Sequence, residues 1–62
     1  MSELEIKTKI SEKVAVCKKR IATAKDKIDN VALTELEAMM LKIIIEESEE
    51  SIEILVNINK AA

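Results

Sequence analysis

The sequence predicts an all-α fold, an antiparallel two-helix hairpin that assembles with further helices, and three observations carry that expectation. The chain has no Gly, no Pro and no aromatic residue, while 48% of its 62 residues are hydrophobic. The same helix-start pattern occurs twice, as Ser2-Glu3-Leu4-Glu5 and Thr34-Glu35-Leu36-Glu37. Apolar residues after each start recur in steps of three and four, the period of a helix face and not that of a strand.

The first helix is expected over about residues 3–30. Ser2 is its cap, because a Ser hydroxyl accepts the N–H three residues on while Glu5 reaches back to the cap's own N–H. Along it Ile10, Val14, Cys17, Ile21, Ala24, Ile28 and Val31 alternate in steps of four and three. That is a heptad seam, with Val14, Ile21 and Ile28 at a and the other four at d.

A second helix is expected over about residues 34–60, capped by Thr34 and Glu37. Ala38, Leu41, Ile45, Ser48, Ile52 and Leu55 repeat the spacing, widened by Ile44 and Ile58 beside them. One continuous helix would carry the first register onward and place Glu35, Lys42 and Glu49 at a. The phase break, the Asp29-Asn30 end signal and the fresh cap at Thr34 favour a short turn at about residues 30–33. Antiparallel pairing then sets Ile28 near Leu41, Ile21 near Ile45, Cys17 near Ser48 and Ile10 near Leu55. The small, weakly polar Cys17–Ser48 layer is the expected loose point.

Residues 1–62 form one domain at most, and a chain this short buries only about 60% of its unfolded surface. Disulfides, metals or oligomerisation usually compensate. With one cysteine and no histidine, oligomerisation is what remains. Met1-Ser2-Glu3-Leu4-Glu5 lacks the basic start and apolar core of a signal peptide. The run Met39-Met40-Leu41-Lys42-Ile43-Ile44-Ile45 is far short of the roughly 20 residues that span a bilayer. A cytoplasmic location without membrane association is therefore expected, and a single unpaired thiol agrees with it.

Charge divides the arms. Residues 1–30 hold 8 Lys or Arg against 5 Asp or Glu, and residues 31–62 hold 2 against 7. Lys13, Arg20 and Lys27 fall at g and Lys18 and Lys25 at e, so cations flank the seam, with Glu46, Glu49 and Glu53 available to face them. Apolar residues also lie away from the seam, at Ala15, Val16 and Ala22 on the first helix and at Leu36, Met39, Met40 and Ile43 on the second. A helix apolar nearly all round is buried on all sides. Two helices cannot achieve that, so a homodimeric four-helix bundle or a larger helical oligomer is expected, in which Met fills irregular gaps.

Catalysis finds no residues to perform it. There is no His or Tyr, no glycine-rich phosphate loop, and no Ser-His or Cys-His arrangement. Cys17 reads as a small hydrophobe in the seam. Glu46, Glu49, Glu50 and Glu53 share a face, but carboxylate metal bundles also use Glu-x-x-His. No catalytic residue, metal site or cofactor is expected.

Lys13, Lys18, Lys19, Arg20, Lys25 and Lys27 are the candidates for nucleic-acid or phosphate contact, since two such helices in a dimer would form one basic surface. The absence of any aromatic to stack on bases and a net charge of −2 disfavour that reading. The leading expectation is a small regulatory protein that binds itself and another protein. Its binding residues would be Ala15, Val16, Ala22, Leu36, Met39, Met40 and Ile43, set in a helix-in-groove contact.

Two resemblances bear on this expectation. A dimer of helical hairpins resembles the plasmid Rop family of RNA-binding regulators in architecture, although no sequence motif is shared and no Phe is present here. Val31-Ala32-Leu33-Thr34-Glu35-Leu36-Glu37 resembles the turn and helix start of phage anti-CBASS proteins that sequester cyclic nucleotides. The second resemblance implies ligands held between hairpins near Asn30, Thr34, Lys25 and Lys27. Both imply a phage- or plasmid-encoded regulator.

Overall fold

The computed structural model describes residues 2–61. Helix α1 spans Glu3–Asn30 and helix α2 spans Glu35–Ala61, joined by residues 31–34. These spans lie within a residue of those the sequence predicts. The two helices pack along their length into a rod of 46 × 14 × 14 Å, as 28 residues at 1.5 Å each, about 42 Å, require. No helix among the described residues is long and apolar enough to cross a membrane.

Each helix begins as its cap dictates. Ser2, in extended conformation, accepts the Glu5 N–H on its hydroxyl at 3.2 Å. At Thr34 the reciprocal box closes: the Glu37 N–H donates to Thr34 Oγ1 at 3.2 Å and the Thr34 N–H donates to Glu37 Oε1 at 3.1 Å. The acidic first turns and the basic last turns, Lys27 and Lys60, oppose the helix dipoles correctly.

The end of α1 explains how a chain without Gly makes this turn. Asn30 stays helical, and its amide donates back to the Asp26 carbonyl at 3.2 Å and carboxylate at 2.8 Å. Val31 then leaves in extended conformation, its N–H still donating to the Lys27 carbonyl at 3.0 Å. Among the described residues no φ is positive, so no position asks for glycine.

The core is the expected seam, with two changes. Ile10, Cys17, Ala24 and Ser48 are buried, and Val14, Ile21, Ile28, Ala38, Leu41, Ile45, Ile52 and Leu55 are half-buried. Val31 is not part of it, being 51% exposed, because its extended backbone has left the helical register. Leu33 is half-buried at the turn instead. Cys17 at 4% exposure and Ser48 at 7% are among the most buried residues. The layer expected to be loose is thus well covered, as small side chains allow close approach of the backbones.

Candidate interaction surface

In an antiparallel pair with a and d at the seam, the g positions of both helices flank one side and the e positions the other. On the g side, with its neighbouring c positions, Val16, Arg20, Thr23 and Lys27 of α1 face Ile44, Glu47 and Ser51 of α2. They rim an open groove of about 800 Å³ over Cys17, Ala24, Leu41 and Ser48, with Lys19 also on its lining. The trough follows from the sequence, because three of its four floor residues are small. The e side holds a smaller depression of about 340 Å³, formed mainly by Ile10, Val14, Ala15 and Lys18 with Val56 and Asn59. The groove pairs the later part of α1 with the earlier part of α2, and the depression pairs early residues of α1 with late residues of α2, as antiparallel helices must.

No family model, no curated protein and no solved structure matches this chain.

The structure divides the residues expected to receive a protein. Val16 lines the g-side groove, Ala15 lines the e-side depression, and Ala22 is exposed beside neither. Met40 at c and Met39 at b fall on opposite sides of the hairpin, with Leu36 and Ile43 at f on the outer back of α2. All four are more than half exposed, Leu36 at 68%. They form a cluster that wraps α2 next to the turn, separate from the alanines of α1.

Of the cations, Lys19, Arg20 and Lys27 line the groove, Lys18 lines the depression, and Lys13 and Lys25 line neither; all six are exposed. The expected facing of these cations by the carboxylates of α2 is not formed within the hairpin. Among the described residues the one ion pair is Lys7 Nζ with Glu3 at 3.5 Å, and an exposed i, i+4 pair contributes little. Arg20 and Glu47 stand on opposite sides of the groove and do not pair across it. Among the described residues Glu46, Glu49, Glu50 and Glu53 are not part of any cluster of three or more ligand side chains.

At the start of α2 the Glu37 carboxyl is held below the usual glutamate range. The Thr34 backbone N–H is the larger cause and the Thr34 side chain the next. A phosphate attracted to this helix end would have to displace that carboxylate.

Ile54 and Glu47 were not singled out by the sequence pattern, nor was Val56, which is half-buried. Ile54 and Glu47 occupy c, and Val56 occupies e. Reading c with g and e with b across both helices, and not each helix by itself, is the signal that finds them.

Proposed function

We propose that this chain is a small, non-enzymatic cytoplasmic interaction protein that works as a helical-bundle oligomer and binds a protein partner. The observation that carries this reading is surplus surface. The hairpin exposes 4931 Å², whereas a compact monomer of 6.9 kDa exposes about 4,000 Å². No large side chain among the described residues is fully buried. Large apolar side chains, Leu36, Met39, Met40 and Ile43 among them, lie exposed on that surface, and clustered exposed apolar side chains mark association surfaces.

Self-association covers part of the surplus, and the turn-proximal cluster of Leu36, Met39 and Ile43 remains to receive another protein. Sedimentation equilibrium supplies the test: a mass of two or more chains is expected at micromolar concentration. A monomer at every concentration up to about the millimolar range would remove the reading. With the oligomer established, Ile43→Glu should leave mass and helicity unchanged while abolishing capture of the partner. Loss of the oligomer itself would assign that residue to the bundle core.

A second reading is favoured by the cations that make no ion pair among the described residues, Lys18, Lys19 and Lys25 among them. If they bind RNA or DNA, affinity must fall steeply with salt and disappear on reversal of Lys18 and Lys19 to Glu. A flat salt response dismisses it.

A further inference from the structure

The g side of the rod is its richest apolar surface, with Val16 and Ile44 on the groove itself. Of the exposed large hydrophobic residues, Ile6, Val16, Met40, Ile44, Ile54 and Ile58 lie at its c and g positions, against Leu4 and Met39 at b and e on the other side. We infer that a second copy of this chain seats in this groove about a two-fold axis parallel to the helices, α1 of each copy lying across α2 of the other. The inference rests on the self-association proposed above and deepens it by naming the face and the orientation.

Area agrees with this occupant. A stable dimer buries about 800 Å² per partner, and the excess of 4931 Å² over the compact expectation is roughly 900 Å². One interface of standard size matches that excess.

Charge selects the orientation. Two two-fold arrangements can lay this face on its own copy. An axis perpendicular to the helices places α1 on α1 and α2 on α2, with the turns at opposite ends. An axis parallel to the helices places α1 on α2, with both turns at one end. The first half of the chain carries 8 cations against 5 anions and the second half 2 against 7. The perpendicular axis therefore sets +3 on +3 and −5 on −5, while the parallel axis sets +3 on −5. Opposed like charges select against the first.

Specific contacts follow from the level of each residue along the rod. Arg20 and Glu47 rim the same stretch of groove and form no ion pair with each other within the chain. An axis parallel to the helices leaves residue levels unchanged. Arg20 thus meets Glu47 of the partner subunit, with Val16, Thr23 and Ile44 beside the pair shielding it from water. In the perpendicular arrangement centred at the same level, Arg20 would oppose its own copy.

Charge reversal tests this on the full chain with its native cysteine. Arg20→Glu and Glu47→Arg should each weaken self-association by about tenfold or more. An equimolar mixture of the two single variants should regain near wild-type association, because the heterodimer contains two correct pairs and neither homodimer contains any. A second readout is a nitroxide on Ala32→Cys in a Cys17→Ala background. Helices on the diagonal of a four-helix bundle lie about 14 Å apart, so turns at one end give a short label distance. Turns at opposite ends of a rod 46 Å long give a long one.

A dimer with rescue on mixing and a short label distance supports the inference. A dimer that ignores the reversals, or whose turns lie far apart, overturns it while the proposed function stands. A trimer or larger assembly overturns the two-chain arrangement alone, and a monomer overturns both.

Discussion

At the scale of single residues, Thr34 and Glu37 decide where α2 begins, since each satisfies a backbone N–H that the helix itself leaves unpaired. Replacing Thr34 with Ala should cost about 1 kcal/mol, lowering the melting temperature by about 4–8 °C for a domain of this size. Circular dichroism melting checks it. The same contact makes the helix start sensitive to acid. Glu37 titrates below the ordinary glutamate value of 4.5 because Thr34 holds its charged form. Its contribution is therefore fully present above that value and is lost as pH falls through the lowered native value. The stability gap between wild type and Glu37→Gln should be constant near neutrality and narrow below about pH 4.5. A gap unchanged down to pH 2 would mean that the carboxylate is not the acceptor. In the Thr34→Ala variant the Glu37 titration, followed by NMR, should move back up towards the ordinary value.

At the scale of the helix, the heptad distinguishes positions two residues apart that composition cannot. Ala24 lies in the seam at 3% exposure while Ala22 stands outside it. Ala24→Leu should overpack the helix pair and cost about 1–3 kcal/mol in urea unfolding. Ala22→Leu should change stability by less than about 0.5 kcal/mol. Equal effects would contradict the register. This register was legible in the sequence because a seam needs only local spacing: Ile10, Cys17, Ala24 and Ser48 are all where the three-and-four pattern puts them. Val31 was misplaced because the pattern continues past Asn30 although the backbone becomes extended at Val31, and periodicity carries no information about where a helix stops. Leu33 was missed for the converse reason, lying in the turn where no period applies. The candidate surface was less legible than the core. Which c, e and g residues share a side depends on the partner helix, its direction and its level, and none of these is local. Val16 and Ala15 are adjacent in sequence yet line different concavities. The arms' opposite charge was legible as a count, whereas the absence of cross-groove ion pairs among the described residues depends on side-chain placement that a count does not carry.

At the scale of the whole molecule, the hairpin is too elongated and too thinly covered to be its own complete fold. Its radius of gyration is 14.4 Å, against about 11 Å for a compact domain of this length, and its core is a single row of small and half-buried side chains. If the missing burial comes from another copy, folding and association are one equilibrium, and stability depends on concentration by mass action. Each tenfold dilution then removes about 1.4 kcal/mol from the dimer and should lower the melting temperature by about 5 °C. Salt adds a second axis to the same measurement. Oppositely charged arms facing each other across copies attract, and screening weakens that attraction. Raising sodium chloride from 0.05 to about 0.5 M should therefore lower the midpoint at fixed concentration. Like-charged arms facing each other would respond in the opposite sense, so the sign of the salt effect reports which helix lies against which. A melting temperature indifferent to a hundredfold dilution would show that the hairpin is stable unaided, and that its exposed Met40, Ile44, Ile54 and Ile58 face something other than a second copy.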